Sequence, residues 1–411
     1  MAIEDRTKAG AQVKEAYSGV LPNVELRADY RFNFTKPAFF APEEFGGGKF
    51  EIGSDYEVTG QIRLDQTLYA FGRIGNAVEF ARVYKRITEL GVADARSRAV
   101  YDAKRAYYSV LLAEEVEAIR RRSLEQARSH LRDIEHKFEQ GTMSRYDLLR
   151  ARVEVKNREP ELISAENGLS LAVQDLKRLL DLEPEVTPVL LDTLAYVPME
   201  ISEDRAVAEA FEQRPEIISL ELNVEGRRRL LAIEKAGRLP TLDLYGQILY
   251  QGQADDDVLD PFRSRHRAVS TFAGISLTLP IFDGLRTKAR IRQARADLRR
   301  SEHELEMARK AVSLEVLKAV KDLQSLKRSY EAQLATVSLA EETYLIAETR
   351  FKNGLSTQLE LTDAETALDA ARANYANTLF EYDLAIAALE KTLGRTAGTG
   401  SEDTDGRTEE E

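Results

Sequence analysis

The sequence predicts a mainly α-helical fold of long coiled-coil hairpins, with a pair of β-strands ahead of each hairpin. Three patterns in its 411 residues predict this fold. Most of the chain repeats itself once, and each copy holds a long segment with apolar residues at every seventh position. Each copy also holds segments in which apolar and polar residues alternate. The first period is typical of coiled coils and the second of strands.

The internal repeat has an offset of 213 residues in the helical part, where the Phe-x-x-Gly motif that ends at Gly141 recurs, ending at Gly354. A Leu-Pro pair at 21–22 recurs at 239–240, an offset of 218. The differing offsets place an insertion between the two motifs, which indicates a loop. Each copy therefore has the order short helix, Leu-Pro, strand, loop, strand, very long helix, turn, return helix.

The chain divides into a first repeat at 1–180, a connector at 181–202, a second repeat at 203–395 and an acidic tail at 396–411. The connector contains three prolines, which favour an irregular structure: Pro184, Pro188 and Pro198. The tail is rich in Glu and Asp and is predicted to be disordered.

The first long helix is predicted from about Ile74 to Phe138, where the sequence has no Pro. Its seven-residue stripe consists of Ala103, Val110, Glu117, Leu124, Leu131 and Phe138. The stripe of its return helix consists of Leu148, Val155, Leu162, Leu169 and Leu176. A kink is expected at Pro160, because Pro removes a helical hydrogen bond. At the turns, Gly141 and Gly354 can end one helix and a hydroxyl residue can cap the next.

Alternating polarity predicts two strands in each copy, over about 24–34, 50–64, 242–250 and 273–279. An apolar face and a polar face suit a barrel with lipid outside and water inside. Aromatic residues cluster near the strand ends, as at a membrane interface: Tyr30, Phe32, Phe34, Phe39, Phe40, Phe45 and Phe50. Four strands cannot close a useful barrel, whereas three copies give twelve. The alternative is a sheet in water with one buried face.

Composition excludes several classes of function. The net charge of −12 makes nucleic acid a poor partner, and the absence of Cys excludes disulfides and thiolate metal sites. No apolar run is long enough for a transmembrane helix, and the first residues carry no signal peptide. The four scattered His residues do not predict a metal pair, and no nucleophile or phosphate-loop motif occurs. We expect no enzyme and no cofactor.

Two motifs resemble the TolC-like outer-membrane efflux proteins. They are Leu-Thr-Leu-Pro-Ile-Phe-Asp-Gly-Leu-Arg at 277–286, where a strand joins a long helix, and Arg-Phe-Lys-Asn-Gly-Leu-Ser-Thr at 350–357, at a hairpin turn. The Arg-Pro-Glu-Ile at 214–217 and the C-terminal helix at 382–394 are also similar, and the resemblance covers about 5–394. The chain departs from the family at its start, where the counterpart of about 205–218 is missing, and we interpret that start as truncated.

The resemblance implies a homotrimer with one twelve-stranded β-barrel in the outer membrane and a tunnel, or α-barrel, of helices in the periplasm. It also implies a periplasmic adaptor and an inner-membrane pump or ABC exporter as partners, in drug efflux or type I secretion. Substrates then pass through without covalent chemistry. The rival hypotheses are a periplasmic adaptor, which needs flanking domains around one hairpin, and a coiled-coil scaffold, which needs no strand pairs.

The resemblance also assigns site residues. Acidic residues just past the turns form the narrow end of the tunnel, and the matching positions are Asp147, Glu360 and Asp363. They either attract cations at a constriction or form an ordinary acidic first helical turn. The turns themselves are implied to contact the adaptor, through Gly141, Thr142, Ser144, Gly354, Leu355, Ser356 and Thr357.

Overall fold

The computed structural model describes residues 2–43, 46–183, 185–186, 188–255, 258–263 and 267–395. These residues form two compact units, one within 2–89 with 219–305 and one within 90–218 with 306–395. No helix among the described residues is long and apolar enough to cross a membrane. Phe45, Pro184 and the acidic tail, on which some of the predictions fall, lie outside the described residues.

Two very long helices dominate the chain, as the seven-residue stripes predict. Helix α2 (Arg73–Glu139) and helix α7 (Arg286–Lys352) each contain 67 residues. Their return helices are α3 (Arg145–Leu179) and α8 (Gln358–Leu393). Helix α3 continues through Pro160, so no break in the helix occurs at the position where a kink is expected.

Shorter helices precede the strands of each copy. Helix α1 (Ala2–Ser18) opens the first copy, and α4 (Glu203–Gln213) with α5 (Pro215–Ala236) opens the second. The break between α4 and α5 falls at Arg214, whose ψ of 118° is extended. A residue before Pro avoids the helical region, and Pro is well tolerated at a first helical position, so the Arg-Pro dipeptide explains both the stop and the restart.

The first unit contains a four-stranded antiparallel sheet in the order β1-β4-β5-β6. Its strands are β1 (Asn23–Phe32), β4 (Tyr56–Tyr69), β5 (Thr241–Ala254) and β6 (Arg267–Thr278). A short helix, α6 (Asp260–Arg263), lies between the last two strands. The central β4–β5 pair joins the two sequence copies in one sheet.

The predicted second strand was wrong at its start. Phe50 lies in a separate two-stranded ribbon, in which β2 (Ala38–Ala41) pairs with β3 (Gly48–Glu51). The ladder of the main sheet begins only at Tyr56. Between the two, Gly53 has a φ of +96°, a left-handed value that breaks a continuous strand. The alternation of polarity continues across this break, and for that reason the pattern alone merges two strands.

Residues opposite each other in the ladder place the apolar side chains on one face of the sheet. One such row joins Leu26, Ile62 and Ile248 across three strands, and all three are exposed. The opposite face carries polar groups, and there the Gln247 side chain donates to Oε1 of Gln61 at 3.0 Å. The sheet therefore presents one apolar and one polar face, as the two-residue period predicts.

The second unit has its core between the long helices and their return helices. One cluster packs Leu124 and Ala127 of α2 against Val155 of α3. Another packs Ala106 and Val110 of α2 against Leu176 of α3. These positions belong to the predicted stripes or are their neighbours on the same face, so the heptads identify the buried surfaces of the hairpin.

Candidate functional site

Each hairpin turn is built on a glycine in the left-handed region. Gly141 has a φ of +78° and Gly354 a φ of +72°. In the first turn the Thr142 N–H donates to the Lys137 carbonyl at 2.9 Å, and in the second the Leu355 N–H donates to the Arg350 carbonyl at 2.8 Å. This hydrogen bond closes the C-terminus of a helix and requires the left-handed residue that glycine provides without strain.

Ser144 and Asp147 form a capping box at the start of α3. The Ser144 hydroxyl accepts from the Asp147 N–H at 3.1 Å, and Oδ2 of Asp147 accepts from the Ser144 N–H at 3.3 Å. Reciprocal bonds of this kind satisfy two amide groups that a helix start otherwise leaves unpaired. The Asp147 carboxylate therefore has a structural role at the cap.

The second turn is capped differently. Oγ1 of Thr357 accepts from the Glu360 N–H at 3.2 Å, but the Glu360 carboxylate does not return a bond to the Thr357 backbone; its Oε1 lies 3.4 Å from the Thr357 hydroxyl. Glu360 and Asp363 are both exposed. Within the described ranges neither carboxylate has an ion pair. These two acidic groups are therefore available to mobile ions.

The two turns lie side by side over one core. The core contains Ile134 of α2, Leu148 of α3, Phe351 of α7 and Leu361 of α8, all buried. With its amide oriented to match its neighbours, the side chain of Gln358 donates to the carbonyl of Asp147 at 3.1 Å. The structure thus brings the predicted acidic residues of both copies to the same end of the second unit.

Three predicted carboxylates lie near the turns, together with basic side chains such as Arg145 and Arg350. Asp147 and Glu360 lie in the first turns of α3 and α8, where the helix dipole stabilises a negative charge. Asp363 adds a third carboxylate about one turn further along α8. Exposed carboxylates attract cations electrostatically. Among the described residues, no set of three or more His, Asp or Glu side chains could hold a metal ion.

The turns also carry exposed apolar side chains. Leu355, which the resemblance assigns to a partner contact, is exposed, and so are three residues that the sequence prediction missed: Tyr146, Leu149 and Leu359. These residues lie outside the seven-residue stripes. That position alone would have identified them as surface residues. Exposed apolar groups of this size beside a helical turn suit a protein contact. Ser356 is partly buried, with its Oγ unpaired.

Comparison with known proteins decides the family. A model of the outer membrane efflux protein family matches residues 1–181 and 206–395, which is nearly the whole chain. The chain belongs to the outer membrane efflux protein family. The predicted resemblance is thereby confirmed, and with it the place of the chain among outer membrane efflux proteins.

The relatives of the chain within the family include secretion and efflux proteins. It is 23% identical to the outer membrane protein TolC of Vibrio cholerae, over 95% of this chain and 85% of that protein. It is 28% identical to the protein CyaE of Bordetella pertussis, over 78% of this chain but only 66% of CyaE. It is 24% identical to the alkaline protease secretion protein AprF of Pseudomonas aeruginosa, over 84% of this chain and 72% of AprF.

Solved structures of the family share the fold. The chain superposes on a membrane protein of Pseudomonas aeruginosa with a TM-score of 0.77 and 21% identity, covering 96% of this chain and 88% of that one. It superposes on the Campylobacter jejuni CmeC outer membrane channel with a TM-score of 0.75 and 19% identity, covering 96% and 82%. The predicted fold class, helical hairpins with a four-stranded sheet in each chain, is confirmed.

Proposed function

We propose that three copies of this chain close one twelve-stranded barrel in the outer membrane and conduct substrates passively out of the periplasm. The observation that carries this proposal is the open sheet of the first unit. Its edge strands, β1 and β6, each pair on one side only among the described strands. Neighbouring strands alternate in direction, so β1 and β6 run in opposite directions.

This geometry permits ring closure. Because β6 is antiparallel to β1, β6 of one copy can pair with β1 of the next in the same antiparallel pattern as the rest of the sheet. A head-to-tail contact repeated by rotation closes a ring. Lipid makes closure necessary, since each unpaired backbone group in hydrocarbon costs several kcal/mol. Three copies supply twelve strands, which is enough for a water-filled interior.

The two faces of the sheet suit the same arrangement. The apolar face that holds Leu26, Ile62 and Ile248 also holds Ile275 and Leu277 of β6, and these side chains are all exposed in the single chain. In a closed barrel they would face lipid. The polar face with Gln61 and Gln247 would line the water-filled interior. A sheet in water would instead cover the apolar face with another element.

The acidic turns of the second unit would form the entrance of the proposed conduit. Three copies would bring Glu360 and Asp363 into a ring of six carboxylates, which favours cations. The exposed Tyr146, Leu149, Leu355 and Leu359 would contact a periplasmic adaptor, beyond which stands an inner-membrane pump or ABC exporter. Relatives named for secretion, such as AprF, support partners of this kind. The conduit works without covalent chemistry and without a cofactor.

Conductance tests this function. The purified full chain is added to a planar lipid bilayer between two salt solutions. We expect discrete ionic steps, with a reversal potential that shows preference for cations. The acidic entrance is tested by the double variant Glu360→Gln with Asp363→Asn. A chain that inserts into lipid vesicles but conducts no ions, even with the entrance carboxylates removed, would contradict the conduit.

A further inference from the structure

A charged cluster is buried between α3 and α8 in the second unit. Its central members are Arg158, Glu365 and Asp369, whose side chains are only 6%, 3% and 9% exposed. Nη2 of Arg158 lies 3.0 Å from Oε2 of Glu365, and Nη1 lies 3.7 Å from Oδ2 of Asp369. Arg158 therefore joins the return helix of the first hairpin to that of the second.

Arg158 also binds the two helices of its own hairpin. Its Nη1 donates to the Ser123 carbonyl at 3.0 Å and to the Ser123 hydroxyl at 2.6 Å, on α2. Its Nε donates to Oε1 of Glu154 at 2.8 Å, on α3. The guanidinium thus uses each of its nitrogens. Buried charged groups with specific partners fix the register of packed helices.

The charges of the cluster do not balance. Arg158 faces two buried carboxylates, those of Glu365 and Asp369, as well as the partly exposed Glu154, and a buried excess of negative charge is costly. The other charged or titratable groups that face the cluster are His130 and Arg120 of α2, and Tyr344 and Glu348 of α7. Arg120 has its own partner in Glu161, at 3.0 Å, and Glu348 has Lys352, at 2.9 Å.

His130 of α2 also contacts the Glu365 carboxylate. Nε2 of His130 lies 2.7 Å from Oε1 of Glu365. That oxygen is buried and accepts no well-aligned hydrogen bond in the described structure. Two bare lone pairs repel each other at this distance, so Nε2 of His130 carries an N–H that points at this oxygen, which a neutral imidazole can supply. Beside them is a gap of about 20 Å³, enough for one water molecule.

We propose that this cluster is a proton-binding site that clamps α3 to α8. The cluster retains one proton while the helices are packed, and loss of that proton at higher pH loosens them. The direction agrees with the burial of Asp369, which raises the pKa of its carboxyl group. The proposal does not depend on the channel function, because it concerns the contact between two helices.

Amide hydrogen exchange of the full chain in detergent tests the proposal between pH 6 and pH 9. Rates are corrected for the intrinsic pH dependence of exchange and compared over 151–159 of α3 and 361–370 of α8. We expect the opening constant of these segments to rise with pH, by up to about tenfold per pH unit for one released proton. A pH-independent opening constant in the unaltered chain would overturn the proposal, whether or not any variant folds.

Variants assign the proton within the cluster. Asp369→Asn removes the carboxylate that makes the longest of the Arg158 contacts. In this variant we expect the opening constant to depend less steeply on pH and to be smaller at pH 9. Glu365→Gln and His130→Gln test the other two positions. The matched control is Glu390→Gln, which removes the 2.5 Å pair with Lys104 between α2 and α8, where the charges balance. It should keep the slope of the unaltered chain.

Two results would contradict the assignment. If all three cluster variants retain the full slope, the proton lies elsewhere. If the slope disappears when the concentration of K⁺ is raised at constant ionic strength, the site binds a metal cation in place of the proton. A slope that persists across K⁺ concentrations and is lost in at least one cluster variant supports the proton site.

Discussion

Tyr196 of the connector stacks on Tyr330 of α7, with ring centroids 4.1 Å apart and planes inclined by 10°. Tyr382 of α8 completes the contact, with its ring 4.7 Å from that of Tyr196. Its hydroxyl donates to the Val197 carbonyl and accepts from the Met199 N–H, both at 3.1 Å. A segment without helix or strand is thus fixed to the second unit by one fully buried tyrosine.

Removing that hydroxyl should loosen the connector. Tyr382→Phe leaves the Met199 N–H and the Val197 carbonyl without this partner, so we expect a loss of about 0.5–1.5 kcal/mol of stability. Cleavage by a protease within 190–200 should become faster. Limited proteolysis and chemical unfolding measure the two effects. Tyr84→Phe is the control, because Tyr84 is exposed; equal effects of the two substitutions would contradict the role of Tyr382.

The glycines of the hairpin turns should be needed only for their backbone conformation. A Cβ at Gly141 or Gly354 would meet no atom within 4 Å, yet both glycines have positive φ. Gly141→Ala and Gly354→Ala should therefore each cost about 1–2 kcal/mol. The control is Gly168→Ala within α3, where space is equally open and φ is helical. It should stabilise by about 0.5–1 kcal/mol. Urea unfolding checks the opposite signs.

The acidic residues at the turns should separate into two roles. Asp147→Asn weakens the capping box at Ser144 and should cost about 0.5–1 kcal/mol of stability, with a small effect on ion preference. Glu360→Gln with Asp363→Asn should leave stability nearly unchanged and reduce the preference for cations. Reversal potentials in a salt gradient, together with unfolding curves, distinguish the roles. An unchanged reversal potential in the double variant would show that Glu360 and Asp363 do not set the ion preference of the entrance.

Asp383 of α8 should make stability depend on pH. Burial raises the pKa of its carboxyl group to about 6, above the unfolded value of about 4. A raised pKa contributes stability that is present below about pH 4 and is lost as the pH rises through about 6. Asp383→Asn should therefore match the unaltered chain at pH 4 and exceed it at pH 8, by roughly 1 kcal/mol after allowance for solvent screening.

Thermal unfolding at both pH values measures the Asp383 effect. The control is Asp175→Asn, which removes an exposed carboxylate paired with Arg178 at 2.7 Å. An exposed pair contributes little, so this variant should change stability by less than about 0.5 kcal/mol at either pH. An Asp383→Asn variant that is less stable than the unaltered chain at pH 8 would show that the carboxylate is needed in its charged form.

Local patterns predict the helices, their glycine turns and the strand faces, because these depend on residues close together in the chain. The position of Gly141 between two seven-residue stripes is sufficient to predict both the end of α2 and the start of α3. Patterns of polarity fail at Phe50 and Ile52, where Gly53 separates two strands that share one alternation. The pattern records which side chains are apolar but does not record which backbone segments pair.

The buried cluster around Arg158 was not predicted from the sequence. Arg158 occupies a stripe that otherwise contains Ala151, Ala165 and Ala172, seven residues apart. A charged residue in such a stripe indicates a special environment. Its partner, Glu365, cannot be identified from the sequence, because it follows 207 residues later. Only the packing of α3 against α8 determines that the two side chains are buried together instead of facing water.

The central claim is that three copies close one membrane barrel. The most direct test is the protein mass of the purified full chain in detergent, measured by light scattering with the detergent contribution subtracted. The account predicts three times the chain mass of 46.3 kDa, and precipitation when detergent is removed. A stable monomer or dimer that needs no detergent would contradict it.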